Sequence, residues 1–293
     1  MFYRKLQKEL RNMKIIDMRL RPPFQPYLDK DGMYDMNSDV LFGPNHFPMR
    51  FGMKTAQSVK EASMDRLFEE MNRAGEITGV VSIRKSPRGY ENDALVDLLA
   101  QYLERFIGSC GIAPDGSAET IAVLQNYVLD GPCITAFMEP GFHGVMIDDE
   151  KIFPTYEFCE KNQIPLMISF GGFHGPTAEY CNAVHADHVA STFPKLKMVL
   201  CHGGWPWVEA AVHLAFKAPN VYLSPDIYAL HAPGGKDYIE AANYMIPNKF
   251  LYGSAYPCVD VEGSVAYYLE HLRPEVVEDV MYRNAARFLG LEK

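Results

Sequence analysis

Eight short apolar runs alternate with longer segments of helical period along the 293 residues, and this alternation constrains the fold more than any other feature. The strand-like runs are Lys14–Met18, Ile77–Ile83, Phe106–Ile112, Cys133–Phe137, Pro165–Ser169, Met198–Cys201, Asn220–Leu223 and Lys249–Gly253. Between them lie helical patterns such as Ser58–Ala74, Asn92–Glu104, Phe153–Asn162, Glu179–Thr192 and Trp207–Ala218. Strands separated by helices must run parallel, because each crossover returns the chain to the same end of the sheet. Eight such units favour closure into an α/β barrel, a (β/α)8 TIM barrel, which needs about 250 residues. No linker divides the chain, so a single domain over 1–293 is expected. One long irregular stretch, at about 22–57, follows the first strand and would lie over the barrel mouth as a lid.

Bulk properties exclude some functions. The formal charge of −9 argues against a nucleic-acid partner, since phosphates call for a basic surface. No run approaches the roughly 20 apolar residues that span a bilayer, so no membrane partner is expected. Six cysteines at 110, 133, 159, 181, 201 and 258 show no metal-finger or redox spacing. The charged opening MFYRKLQKELRNMK lacks a signal-peptide core, and a cytoplasmic location is the expectation. No phosphate-binding loop, dinucleotide fingerprint or serine-hydrolase elbow occurs.

The first strand carries the most chemistry. Side chains alternate along a strand, so Ile16, Met18 and Leu20 should share one face and Asp17, Arg19 and Arg21 the other. Charged residues at the C-terminal end of a barrel strand lie where catalytic groups gather. Desolvating two guanidiniums is costly unless anions meet them. One aspartate compensates one charge and leaves an arginine for a ligand carboxylate, which its planar fork binds bidentately. A structural alternative is an Arg–Asp–Arg network that only fills the barrel top.

Several segments together resemble the amidohydrolase-related (amidohydrolase-2) TIM-barrel family, which includes aminocarboxymuconate-semialdehyde-type decarboxylases and pyrone-dicarboxylate-type lactonases. IDMRLRPP resembles the strand-one I-D-x-H-x-H. FPTYEFCEKNQIPLMISFGG, CHGGWPWVEAAVHLAFKAPNVYLSPDIY, FLYGSAYP and YRNAARFLGL resemble later family segments, in the family's order from Asp17 to Leu291. The resemblance implies a barrel fold, hydrolase or lyase chemistry and a homodimer. It also exposes departures. Where the family has its metal-binding histidine pair, this chain has Arg19 and Arg21; Ser169 stands at the strand-five histidine and Ala255 at the strand-eight aspartate. The strand-six histidine survives as His202. Arginine offers no lone pair, and a divalent ion about 5 Å from a guanidinium is repelled by roughly 6–7 kcal/mol at an effective dielectric of 20. No metal and no cofactor are therefore expected, and a bound anion would replace the cation.

The remaining candidates follow from position. His202, before Gly203 and Gly204, suits proton transfer; the alternative is a histidine satisfied by backbone. Asp226 and Glu139, after the seventh and fourth strands, are carboxylates able to orient it or act as base, or are merely turn residues. His174, past the fifth strand, could substitute for the lost histidine. Ser169, Tyr228 and Tyr256 could contact substrate. The expected function is a metal-independent hydrolase or C–C/C–O lyase acting on a small anionic, carboxylated substrate, aromatic, lactone or enol-like. The rivals are a non-catalytic anion-binding barrel and a metallohydrolase with a site relocated to His174, His202 and Asp226.

Overall fold

The computed structural model describes residues 12–29, 33–35, 41–42, 46–84, 91–173 and 175–292. Seven parallel strands pair in sequence order: β1 (Lys14–Asp17), β2 (Glu76–Ser82), β3 (Phe106–Gly111), β4 (Cys133–Met138), β5 (Leu166–Ser169), β6 (Met198–Cys201) and β7 (Val221–Ser224). The expected eighth strand is not a continuous ladder. Its backbone nevertheless bonds on both sides. Leu223 N–H donates to Lys249 and Leu251 N–H to Leu223 at 3.0 and 2.8 Å, while Met18 and Arg21 N–H donate to Tyr252 and Tyr256 at 3.0 and 3.1 Å. Those bonds close the sheet on itself. Pairing there is reduced to two isolated bridges, Leu223 with Phe250 and Leu20 with Tyr256, and between them Ala255 takes a left-handed φ of 59°.

Register identifies the interior. Phe137, Met167, Val199 and Tyr222 are mutual partners across β4 to β7 and pack in one buried cluster with Ile16, Met18, Val80, Leu251 and the closing helix Asn284–Leu289. Ser169, Cys201 and Ser224, two residues further along their strands, are also in register and line the next layer on the same face. The interior thus changes from bulky apolar residues to small polar ones toward the C-terminal ends of the strands. The opposite faces of the strands pack on helices, among them Met64–Ala74, Asp93–Tyr102 and Val208–Lys217, in a second and larger cluster.

Strand one departs from simple alternation. Ile16 and Met18 lie in the interior cluster, whereas Leu20 packs toward the helices against Gly79. A turn at Met18–Arg19 ends β1 and shifts the phase. Asp17 Oδ1 holds it by accepting from the N–H of Arg19 at 3.0 Å and of Ser254 at 2.8 Å. The helical pattern Ser58–Ala74 is likewise two helices, Gln57–Glu61 and Met64–Ala74. They part at Ala62, with φ 46°, and Ser63, whose hydroxyl accepts from Arg66 N–H and caps the second helix. In the stretch 22–57, a helical turn, Phe47–Arg50, is among the described residues. All six cysteines are free, and no helix among the described residues is long and apolar enough to cross a membrane.

Candidate functional site

The C-terminal strand ends bring together Arg19, Arg21, Arg84, Glu139, His202 and Asp226, all buried except Arg84, which is 20% exposed. His202 and Asp226 directly follow β6 and β7 with φ of 66° and 48°. Left-handed backbone costs roughly 1–2 kcal/mol per non-glycine residue, and such strain concentrates at functional sites. Gly203 and Gly204 continue the left-handed path. The Tyr238 hydroxyl fixes it by donating to the Gly203 carbonyl at 2.9 Å.

His202 lies between opposite charges. Its Nδ1 is 3.1 Å from Asp226 Oδ1 and 2.9 Å from Oδ2, and its Nε2 is 3.1 Å from Arg19 Nη2. A guanidinium only donates, so Nε2 carries the lone pair and Nδ1 carries the proton toward Asp226. Burial, reinforced by Arg19, Arg21 and Arg84, holds the imidazole well below its usual pKa. Burial pushes the Asp226 carboxyl up to about 7, against the pull of Arg19. The ring is therefore neutral and oriented by its carboxylate.

The three arginines differ in their partners. Arg19 has Asp226 Oδ2 at 3.6 Å from Nε and the Phe137 ring 5.0 Å from its guanidinium carbon. Gly253 makes room for its stem, since a Cβ there would lie 3.3 Å from Arg19 Cγ. Arg84 is held by Glu139, 2.9 Å from Nη2 and 3.1 Å from Nε, and stacks at 4.8 Å on Phe142. Burial lowers the Arg84 pKa but Glu139 outweighs it, leaving a net rise. Arg21 is 4% exposed and has no carboxylate partner among the described residues; Nη1 meets only Met33 Sδ at 3.8 Å, and Nε has no hydrogen bond. Burial, then Arg19, lowers its pKa.

Aromatic rings roof this cluster. Contacts run from Phe142 to Phe173, Phe47, Phe51, Tyr228 and His202, with centroids 5.6 to 6.2 Å apart. Phe47 and Phe51 belong to the stretch expected over the mouth. Trp205 stacks on Tyr228 at 5.0 Å.

Several expected site residues lie elsewhere. Asp17 is not on the face of the two arginines: its carboxylate serves the backbone, and burial raises its pKa. Tyr256 is fully buried, its hydroxyl donating to Ser58 Oγ at 2.9 Å, so it does not reach the mouth. Glu139 meets Arg84 rather than His202. Ser169 lines the upper interior layer and Tyr228 the roof beside His202. His174 lies outside the described residues. Arg84 was not singled out from the sequence, although its place just past the second strand, like that of Glu139 past the fourth, is the available signal.

The described residues do not fit a divalent cation. The two positions that resemble the family's ligand pair are guanidiniums, Ala255 has no donor, and Nε2 of His202 faces Arg19. No three His, Cys, Asp or Glu among the described residues are grouped to hold a metal.

Comparison with known proteins agrees with this architecture. An uncharacterized TIM-barrel protein from Bordetella bronchiseptica is 35% identical, with a TM-score of 0.84 over 95% of this chain and 99% of that one. The 2-amino-3-carboxymuconate-6-semialdehyde decarboxylase of Dictyostelium discoideum is 23% identical over 69% of this chain; the match spans 66% of that enzyme's length. The 5-carboxyvanillate decarboxylase of Novosphingobium aromaticivorans, solved with manganese and a nitrobenzoic acid, shares the fold with a TM-score of 0.64 at 16% identity, over 95% of this chain and 96% of that one. The amidohydrolase family profile matches residues 44–291. With that match and this barrel, the chain belongs to the amidohydrolase family.

Proposed function

We propose that this protein is a hydrolase or lyase acting on a small carboxylated, planar substrate, and that its own residues supply the charge for which relatives use a metal. The observation that carries the reading is Arg21, a buried guanidinium without a carboxylate partner among the described residues, beside the neutral His202–Asp226 pair. A buried charge of this kind is costly alone and strongly favours an anion. The substrate carboxylate takes Arg21, and its flat body lies under the Phe51 and Tyr228 rings. His202 moves a proton at Nε2 once Arg19 turns from that nitrogen to negative charge forming on the substrate. Asp226 keeps the ring in the required tautomer. In hydrolysis of a lactone or amide, Nε2 takes a proton from water as the oxygen adds to the carbonyl, and returns it to the leaving oxygen or nitrogen as the bond from that atom to the carbonyl carbon breaks. In decarboxylation, Nε2 takes the proton of a substrate hydroxyl and delivers it to the carbon that bears the carboxylate; the bond to the carboxyl carbon then breaks, carbon dioxide leaves, and the electron pair returns to the substrate oxygen, which regains a proton from water. The decarboxylase relatives favour the second chemistry.

Calorimetry with benzoate tests the anchor. Arg21→Met should weaken binding at least about 30-fold, the consequence of losing a charge-assisted pair of roughly 2 kcal/mol; equal affinity would defeat the reading. His202→Gln should abolish turnover of carboxylated aromatic or lactone substrates. Turnover surviving in that variant would point away from His202 as the proton carrier. A wild-type protein that binds benzoate but turns over nothing would be an anion-binding barrel.

A further inference from the structure

The guanidiniums at the mouth are unequal in a way that bears on substrate charge. Arg19 already faces Asp226 and His202, and Arg84 is held by Glu139 through both Nε and Nη2. Glu139 is 3% exposed, so its interaction with Arg84 is little screened by solvent. Phe142 covers the other side of the Arg84 guanidinium. Only Arg21 offers charge not already met by a carboxylate among the described residues.

We infer that Glu139 restricts this site to ligands with a single carboxylate, by occupying Arg84 and repelling a second negative charge. Glu139 is thus a specificity-determining residue. A second carboxylate on the ligand would have to displace Glu139 from Arg84 and leave that acid buried and unpaired, or stand beside it. Either is unfavourable in a dry site. The mouth therefore selects on charge as well as on shape. The inference rests on the reading that Arg21 anchors the ligand anion.

Three probes separate the two ideas by calorimetry at pH 7.5 and low salt: benzoate, isophthalate and 3-carbamoylbenzoate. The last two have nearly the same outline and differ by one charge. Benzoate and 3-carbamoylbenzoate should bind, and isophthalate at least about 30-fold more weakly than 3-carbamoylbenzoate, equivalent to roughly 2 kcal/mol. Glu139→Gln should shrink that gap below about threefold. Arg84→Met, which leaves Glu139 unneutralised, should widen it. Failure of benzoate to bind the wild-type protein would overturn the anchor itself. Binding of benzoate with isophthalate equal to or tighter than 3-carbamoylbenzoate would overturn the charge filter alone. Binding of benzoate but of neither larger acid would also overturn it, since exclusion would follow from size. A gap unchanged in both variants would remove Glu139 as its cause.

Discussion

His202 and Asp226 face each other inside a shell of guanidiniums, and their environments push them in opposite directions. The histidine's folded pKa lies below its ordinary 6.5, because burial and then the three arginines disfavour the cation. Its contribution to stability is therefore present above pH 6.5 and lost as pH falls through that value toward the folded pKa. Asp226 is raised from 3.8 to about 7 by burial, so it contributes in the opposite sense: fully at acid pH, and lost as pH rises through about 7. Ring 15N NMR should find His202 neutral and protonated at Nδ1 from pH 8 down past its ordinary value. A ring that titrates near 6.5 would contradict the assignment. Asp226→Asn removes only the compensating contribution. Its unfolding free energy should drop more steeply than the wild-type value as pH falls below 6.5, measured by urea denaturation at a series of pH values.

The long loop, the helix Met64–Ala74 and the eighth segment meet at a buried polar junction rather than a purely apolar one. Ser58 Oγ donates to Glu70 and accepts from Tyr256, while Ser58 N–H donates to Glu70 at 3.0 Å. Tyr34, from the loop, donates to the Arg21 carbonyl at 2.7 Å. Ser58→Ala strands a carboxylate oxygen and a tyrosine hydroxyl away from water. It should destabilise the fold by about 2–3 kcal/mol, read from urea unfolding; a change within experimental error would show that water reaches the junction. None of this was legible in the sequence, because it joins residues up to 198 positions apart and Ser58 and Glu70 carry no motif. What was legible was periodic. The seven strands fall within a residue or two of the expected runs, since each is an apolar segment bounded by polar ones. The first strand misled because a two-residue turn inverts its alternation, placing Asp17 apart from Arg19 and Arg21 while leaving both arginines at the mouth. Strand-end position offered Asp226 and Glu139 alike as partners for His202; Asp226 is the one that meets it, while Glu139 meets Arg84. The Arg84–Glu139 pair was missed because neither partner matches a family motif.

The molecule as a whole is acidic, with a formal charge of −9, yet its barrel mouth gathers three arginines. The proposed attraction of an anion thus rests on the enclosed site, where low dielectric amplifies a few charges, and not on the outer surface. The barrel makes this workable by stacking small residues, Ser169, Cys201 and Ser224, above its apolar interior layer and by placing Gly253 where the Arg19 stem passes. A structural neighbour of the same fold was solved with manganese, whereas the function proposed for this barrel places a ligand anion at its mouth. A crystal structure of the protein grown with both benzoate and manganese tests that inversion most directly. The carboxylate should lie on the Arg21 guanidinium, with no anomalous manganese peak beside His202. A manganese ion coordinated by His202 Nε2 would contradict the account.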